Sequence, residues 1–478
     1  MIRRGTVALL ILVGTASVAS VLFASRDAVK EPAVAGAFYP GERGELSRTV
    51  DGFLANAASP PADGRLIALI APHAGYLYSG QVAAYSYRRL AERSVDTVIL
   101  IGASHFSSYA GASVYAEGSM RTPLGNVQIN EKIARSLLDE KAGVTFFRDA
   151  FAKEHSLEVQ LPFLQRTVKD LMIVPILMGA PTQASVTHLA ARLTGILRKN
   201  DRAIIIASTD LSHYHGYDAA VVKDRKVIDA VLRMSVEDLQ GLLSSSEGEA
   251  CGGYPVLLAM LVSRNLGATN GILYRYANSG DVTGDRSRVV GYAALGLYKS
   301  PLSDQQKQEL LALARKTVTE YVRHQRTPEP IVKDTRLQAN GATFVTINRD
   351  HRLRGCIGNI QPVMPLYRSV IRNAVAASSQ DPRFPPMTTR ELADAELEIT
   401  VLSPLEPLDD VRNILIGVHG LYLVKGPNSG IFLPQVPVEQ GWDLTTYLEQ
   451  LCLKAGLPRD AWRDRDARLS IFSADIIK

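Results

Sequence analysis

The stretch LIALIAPHAGY, residues 66–76, is an apolar run that ends at a proline, a histidine and a glycine turn. Two further apolar runs, residues 97–101 and 203–206, each end shortly before a histidine, His105 and His213 respectively. Short apolar runs bounded by turn residues predict buried strands. Ligands of open α/β sheets bind outside the carboxyl ends of the strands. Three strands that each deliver a histidine therefore predict a functional site at one edge of a sheet.

Length and composition limit the classes of protein that the chain can belong to. A chain of 478 residues is too long for one ordinary core, so two or three domains are expected. A hydrophobic content of 46% and a charged content of 21% are typical of a globular chain. The net charge of +5 is weak for this length and gives no indication of nucleic-acid binding. Three widely spaced cysteines, Cys251, Cys356 and Cys452, argue against a disulfide framework.

The pattern of strands and helices changes near residue 300. Before it, apolar strands alternate with amphipathic helices, which predicts an α/β domain with a mostly parallel sheet covered by helices. After it, residues 304–324 have the spacing of one long amphipathic helix. Strands without regular helical crossovers follow, and this is an α+β pattern. We predict one domain over residues 29–299 and a second over residues 300–478.

The amino terminus has the pattern of an export signal. Arg3 and Arg4 precede an apolar run over residues 7–24, so residues 1–28 are predicted to be a signal peptide or a membrane anchor. The basic residues would then stay cytoplasmic, with the body outside the cytoplasm. The alternative is a cytoplasmic protein with a disordered or buried amino-terminal helix. A fusion of residues 1–26 to an export reporter is expected to place the reporter outside the membrane, and a cytoplasmic reporter would contradict the signal.

His73, His105 and Cys251 are the candidate metal ligands. Neutral imidazoles and a thiolate suit Zn, Cu or Fe, and three protein ligands with an open position are the pattern of a catalytic site. Asp210 and His213 lie three residues apart and would orient a bound water or support the ligands. Each residue alone has an ordinary explanation, as a hydrogen-bonded loop histidine or a small buried cysteine. The three matching strand ends favour the metal site.

His155 and Tyr78 are candidates for lining the same site. His155 stands between Glu154 and Glu158, and a helix here would place both carboxylates on one face, one turn apart.

A second candidate site lies in the carboxyl-terminal half. Residues 353–358 (LRGCIG) surround Cys356 with glycines, which by itself indicates a tight turn with a small packed residue. Arg354 would raise the thiolate fraction of Cys356 if the two side chains meet. Asp381 and Arg383 belong to a proline-rich loop with opposite charges.

The first domain carries a series of motifs that extends along most of its length. They are AGAFYPG (35–41), APHAGYLYSG (71–80), ASHF (103–106), TPLG (122–125), EHSLEVQLPFL (154–164), STDLSHY (208–214), CGG (251–253) and SGDVTGDRSRVVGY (279–292). By these motifs the domain resembles the Memo family, the B component of the AmmeMemoRadiSam gene systems. The resemblance implies a fold like that of class III extradiol dioxygenases. It also implies an Fe(II) or Cu ion held by His73, His105 and Cys251, with His213 and Asp210 lining the site in a catalytic role, and no organic cofactor. Dioxygenase sites of this kind use two histidines and a carboxylate, so a cysteine favours redox work or Cu(I) capture over ring cleavage.

The second domain carries its own series of motifs, LRGCIG (353–358), DPRFPP (381–386), LPQVP (433–437), GWD (441–443) and KAGLP (454–458). By these motifs it is similar to the AMMECR family, the A component of the same systems. This resemblance implies an α+β fold with a ligand or partner groove at Arg354, Cys356, Asp381 and Arg383. The third component is a radical SAM enzyme, which needs three clustered cysteines. This chain has no such cluster, so a radical SAM protein is an expected partner rather than an activity of this chain.

Two functions follow as alternatives. In the first, the chain is a metal-dependent oxidoreductase, related to dioxygenases, that acts on a small molecule, with His213 as acid or base. In the second, it is a non-catalytic metal carrier or a scaffold that acts with a radical SAM partner.

Overall fold

The computed structural model describes residues 28–58, 64–408 and 410–478. The apolar run at residues 7–24 lies outside the described residues, so the export signal stays a prediction. Within the described ranges, no helix combines the length and the apolar character that crossing a bilayer requires.

One mixed sheet forms the centre of the first domain. Its strands are β1 (Val29–Lys30), β2 (Arg65–Ala71), β3 (Thr97–Ala103), β4 (Ala112–Val114), β5 (Ser119–Thr122), β6 (Gly125–Ile129), β7 (Val144–Thr145), β8 (Met172–Met178), β9 (Ala203–Ser208), β10 (His213–His215), β11 (Asn270–Asn278) and β12 (Val289–Lys299). The order is β1-β5-β6-β8-β3-β9-β2-β12-β10, with β4, β7 and β11 paired off this path. The central run from β6 to β2 is parallel, and β12 adds to it antiparallel.

Helices flank this sheet. They are α1 (Arg43–Ala55), α2 (Tyr76–Leu90), α3 (Glu131–Ser136), α4 (Leu161–Thr167), α5 (Gln183–Lys199), α6 (Tyr217–Leu232), α7 (Val236–Ser245), α8 (Gly253–Asn265) and α9 (Ser279–Thr283), with 3-10 turns at Arg148–Phe151 and Glu158–Gln160. The strands β2, β3 and β9 are buried along most of their length, which explains their continuous apolar sequences. The predicted α/β class is confirmed as a mixed sheet of mostly parallel strands flanked by helices.

The strand order brings the three predicted strand ends to one edge. Strand β9 pairs with β3 on one side and with β2 on the other, in parallel in both cases. Parallel neighbours end at the same edge of a sheet. His73 and His105, which follow β2 and β3, therefore emerge beside Ser208, the last residue of β9.

The second domain is α+β, with two antiparallel sheets. Strands β13 (Asn340–Arg349), β14 (Arg352–Gly358), β15 (Met364–Pro365), β16 (Ala395–Leu402) and β21 (Ala474–Ile477) form the first, and β17 (Glu406–Pro407), β18 (Gly420–Lys425), β19 (Asn428–Phe432) and β20 (Arg468–Phe472) form the second. The helices are α10 (Asp304–His324), α11 (Thr335–Gln338), α12 (Leu366–Ser379), α13 (Gln435–Glu439) and α14 (Leu444–Lys454), with 3-10 turns at Thr389–Leu392, Val411–Asn413 and Ala461–Arg463.

Two local predictions for this half have opposite outcomes. The long helix over residues 304–324 is confirmed, with Ser303 capping it through a hydrogen bond to the backbone N–H of Gln306. The tight turn predicted for residues 353–358 is wrong, because they belong to β14, which pairs with β13. Gly355 in this strand allows close packing instead. A Cβ on Gly355 would lie 2.1 Å from the carbonyl oxygen of Ala377 in α12.

The hydrophobic cores of the two domains are separate. The core of the first domain extends to Tyr298, and the next buried cluster along the chain begins at Leu302.

Candidate metal centre

Three imidazoles converge at the carboxyl edge of the first sheet. His73, His105 and His155 each offer a ring nitrogen, and these three atoms lie within 4.8 Å of one another. The ring centroids are 5.1 Å apart for His73 and His105, and 4.7 Å apart for His105 and His155. A group of three imidazoles at this spacing can hold a transition-metal ion.

Cys251 joins this group at His73. Its Sγ lies 3.0 Å from Nε2 of His73 and accepts a hydrogen bond of 3.2 Å from the backbone N–H of Asp210. The next residue explains how the cysteine comes so close to the strand end. A Cβ on Gly252 would lie 2.2 Å from the carbonyl oxygen of Ser208, so only glycine fits against β9 here. Of the three predicted ligands, His73 and His105 belong to the group of three imidazoles and Cys251 contacts it at His73. His155, which was predicted to line the site, is the third member of the group.

A hydrogen-bond chain decides which nitrogen of His73 is free. Ser208 Oγ lies 2.9 Å from His73 Nδ1, 2.9 Å from Gln160 Nε2 and 2.6 Å from the carbonyl oxygen of Ser156. A carbonyl only accepts, so it takes the single hydroxyl proton of Ser208. Ser208 then accepts from Nδ1 of His73, which leaves Nε2 unprotonated in the neutral ring. That nitrogen is the one that faces Cys251.

Glu154 likewise holds the proton of His105 on Nδ1, so that Nε2 is the free nitrogen of this ring as well. One carboxylate oxygen accepts from the backbone N–H of His105 at 2.7 Å, and the other lies 3.0 Å from Nδ1 of the ring. Burial raises the pKa of Glu154, but hydrogen bonds from His105 outweigh it and lower the pKa to about 2. Burial lowers the pKa of His105, but Glu154 reverses this and the net shift is upward. A carboxylate behind the ring nitrogen that does not bind metal is the usual support of a histidine ligand.

His155 is the third imidazole and lacks such support. Its buried Nδ1 lies 3.4 Å from Oε1 of Glu154 and forms no hydrogen bond with any described residue. Burial lowers the pKa of His155. An orphaned buried nitrogen on a ring beside two other imidazoles is consistent with a ligand position.

The prediction that Glu154 and Glu158 share a helix face is wrong. Glu154 precedes the 3-10 turn at Glu158–Gln160 and turns toward His105. Glu158 accepts instead from the backbone N–H groups of Ala33 and Val34. One carboxylate therefore supports the histidines, and the other holds the amino-terminal segment.

Asp210 acts on the backbone that carries His73. Its Oδ1 accepts from the N–H groups of His73 at 2.7 Å and of Ala74 at 3.3 Å, which fixes the turn after β2. His213, at the start of β10, donates from Nδ1 to the carbonyl oxygen of Leu211 at 2.8 Å, because a carbonyl only accepts. Its Nε2 is then the nitrogen left to accept a proton.

Tyr78 lies in the first turn of α2 and is 39% exposed. Among the residues that the structure describes, its hydroxyl forms no hydrogen bond with the histidines, so the cluster does not include it.

Burial favours the neutral forms of His73, Cys251 and Asp210, unlike Glu154 and His105, which stabilise each other's charge. Burial and the charges of nearby histidines lower the pKa of His73 well below its ordinary value. Burial raises the pKa of the Cys251 thiol to about 12 and that of Asp210 to about 7. A bound cation would reverse this preference for Cys251, because it favours the thiolate, and would reinforce it for His73, because it favours the neutral imidazole.

The sequence did not single out Ser208 or Gln160, and it did not assign Glu154 to His105. No local pattern marks them, because their partners come from other strands. The one sequence signal was that Glu154 directly precedes a histidine.

The second candidate site is only partly assembled as predicted. Asp381 accepts from the backbone N–H of Cys356 at 2.8 Å and from the guanidinium of Arg383 at 2.7 Å. The hydrogen bond from Arg383 holds the pKa of Asp381 well below its usual range. Arg354 binds Glu391 at 2.7 Å, so its guanidinium is engaged away from the thiol.

A cavity of about 760 Å³ lies beside this segment. Its wall includes Ile357, Gly358 and Asn359, together with Tyr367 and Arg372 of α12. The four predicted groove residues are not part of that wall.

Comparison with known proteins assigns both halves. The family profile described as Memo-like protein matches residues 30–296, and the profile described as AMMECR1 matches residues 311–477. A MEMO1 family protein of Methanothermobacter thermautotrophicus is 40% identical over 278 residues, which cover 56% of this chain and 99% of that protein. A MEMO1 family protein of Methanopyrus kandleri is 36% identical over 276 residues, covering 56% of this chain and 98% of its own length.

Among solved structures, the crystal structure of an uncharacterised protein from Pyrococcus horikoshii is 40% identical. The match covers 37% of this chain and 92% of that one, with a TM-score of 0.35.

Proposed function

The chain belongs to the Memo family and carries an AMMECR1 domain after its Memo domain, and from this we propose that the Memo domain binds a redox-active transition metal, Fe or Cu, for redox or oxidative chemistry on a small molecule. The observation that carries the proposal is the convergence of His73, His105 and His155, with Cys251 Sγ 3.0 Å from His73 Nε2. The proposed ligands are His73, His105 and Cys251, with His155 as an additional donor.

The donors suit such an ion in type and in protonation. Hydrogen bonds to Ser208 and Glu154 leave Nε2 of His73 and of His105 as the nitrogens that can bind metal. The soft thiolate of Cys251 favours Cu(I) or Fe over Mg or Ca. A bound ion of this kind would supply electron transfer and Lewis-acid chemistry.

Asp210 and His213 would act beside the metal ligands, Asp210 by positioning the backbone and His213 by accepting a proton. Asp210 holds the turn that carries His73 in place through two backbone hydrogen bonds. Burial lowers the pKa of His213, so its ring is neutral near pH 7 and can act as a base through Nε2. The fold relation to class III extradiol dioxygenases belongs to this proposal and rests on the family resemblance.

Metal analysis of protein purified without oxygen tests the site. We expect wild type to carry close to one Fe or Cu ion per chain. His105→Ala and Cys251→Ala are expected to lower metal affinity at least tenfold, because each removes a ligand. His188→Gln is the matched control, since His188 bonds the carbonyl oxygen of Leu137 in another part of the domain.

The metal analysis can contradict the site, and activity measurements then distinguish an enzyme from a metal carrier. Equal and negligible metal in wild type and in both ligand variants would contradict the metal site. If metal binds, substrate-dependent oxygen consumption that His213→Gln abolishes without loss of metal supports the enzyme. Metal that transfers to an acceptor protein, without any turnover, favours a carrier instead.

We further propose that the AMMECR1 domain supplies a groove for a ligand or for a radical SAM partner. The support is the cavity of about 760 Å³ beside β14, with Arg372 in its wall. Co-purification of a tagged chain with the radical SAM protein of the same gene system tests whether the two proteins interact. If crosslinked complexes of the tagged chain do not contain the radical SAM protein, the proposed interaction is contradicted.

A further inference from the structure

A cavity of about 340 Å³ lies between the two domains, far from the histidines. Its wall takes Arg65, Thr269 and Lys299 from the first domain and Arg336, Ser403 and Asp475 from the second. Arg65 is the first residue of β2, and the histidine cluster lies beyond the other end of that strand. A strand of seven residues spans about 20 Å, so the cavity and the metal centre are separate sites.

Arg336 is the buried cation of this wall. The residue is 9% exposed, and its Nε is buried and forms no hydrogen bond with any described residue. Within the described residues, its guanidinium forms no ion pair. Burial lowers the pKa of Arg336 to about 10, against the charges of Asp475 and Asp334. A guanidinium stays charged near pH 7, so leaving it buried without an ion pair is unfavourable.

The acidic groups near Arg336 have other contacts or lie too far away. Oδ1 of Asp334 accepts the backbone N–H groups of Arg336 and Leu337 and so caps α11. Its Oδ2 accepts from Gln306 Nε2 at 3.0 Å. Asp475 lines the cavity and its charge raises the pKa of Arg336, but the two side chains form no ion pair. No described carboxylate therefore pairs directly with the guanidinium of Arg336.

Two more cations face the same space. Arg65 is exposed, and no described residue forms an ion pair with it. Lys299 lies 3.3 Å from Glu406, but that carboxylate also serves Arg198 at 3.9 Å. Among the described residues, three cations therefore line the cavity together with one carboxylate, that of Asp475.

We propose that this cavity binds a small anion that carries a phosphate or carboxylate group, with Arg336 as its buried anchor and Arg65 at the rim. Guanidinium groups bind such oxyanions through paired N–H donors, and the hydroxyls of Thr269 and Ser403 add further polar contacts. The volume is at the low end for small-molecule sites, so the ligand is a small metabolite. Because the cations come from both domains, the bound anion links the two.

Binding of simple anions to the full chain tests the proposal. The probes are inorganic phosphate, pyrophosphate and citrate, measured by calorimetry at constant ionic strength with chloride. We expect at least one probe to bind wild type saturably. Arg336→Met is expected to weaken that binding at least tenfold, and Arg65→Gln about threefold or more, because each removes a cation from the cavity. Arg88→Gln, at an exposed site on α2 outside the cavity, is expected to bind as wild type does.

The probes also distinguish the source of the anion, since phosphate and pyrophosphate represent phosphoryl ligands and citrate represents carboxylates. If circular dichroism shows that Arg336→Met is unfolded, the binding measured for Arg65→Gln tests the proposal on its own. No saturable binding to wild type, or equal binding by wild type, Arg336→Met and Arg65→Gln, would overturn the proposal. Metal content is expected to be unchanged in all three variants, which separates this result from the test of the metal centre.

Discussion

Glu154→Gln is expected to weaken metal binding by about 10- to 100-fold, the usual cost of losing the carboxylate behind a histidine ligand. The same change is expected to lower the free energy of unfolding by about 2–4 kcal/mol, because an amide cannot accept all the hydrogen bonds of the carboxylate. Glu154 is 2% exposed and accepts from the backbone N–H groups of His105, His155 and Ser156, as well as facing Nδ1 of His105. In the glutamine variant, an NH₂ group must face some of these donors.

Glu158→Gln is the matched control for this prediction. Glu158 is also 2% exposed, and its oxygens accept from Ala33, Val34, Tyr39 and Lys30. We expect a similar loss of stability but less than about a threefold change in metal affinity, because none of these partners is a proposed ligand. Calorimetric metal titration and urea unfolding measure the two effects. If both variants lose metal affinity equally, Glu154 has no specific role in supporting His105.

Gly355→Ala is expected to destabilise the second domain by about 3 kcal/mol or more. The new Cβ would lie 2.1 Å from the carbonyl oxygen of Ala377, which is backbone within α12. Backbone in a packed helix cannot move aside as the end of a flexible side chain can, so β14 and α12 would have to separate.

Tryptophan fluorescence during urea unfolding measures the stability of the second domain. The two tryptophans of the chain, Trp442 and Trp462, both pack against a core of the second domain. Gly195→Ala serves as the control, because Gly195 lies in α5 of the first domain with open space around it. It is expected to leave the fluorescence transition unchanged. A Gly355→Ala transition within about 1 kcal/mol of wild type would contradict the close packing of β14 on α12.

Several features of the fold follow from local sequence. The apolar runs that form β2, β3 and β9 are continuous because these strands are buried on both faces. The spacing of apolar residues over α10 and its capping serine at position 303 mark that helix without any knowledge of its neighbours. For the same reason His73 and His105 could be placed at strand ends before the strand order was known.

Other features depend on contacts between residues far apart in the chain. Residues 353–358 have the composition of a turn, yet they form a strand because pairing with β13 and packing on α12 outweigh local preference. His155 and Glu154 lie beside His105 only because their segment packs against the end of β3. A Cβ on Gly102 there would lie 2.6 Å from Ser156 Oγ, and its absence permits the approach.

The sequence by itself determined the two-domain organisation, the class of each domain and the types of residue at the strand ends, because these depend on periodicity and on residues close together in the chain. Only the tertiary structure decided which of those residues meet. The strand order places β9 between β2 and β3, and so brings His73, His105 and Ser208 to one edge. Likewise, Arg65 and Arg336 line one cavity only because the two domains pack together, which no local pattern encodes.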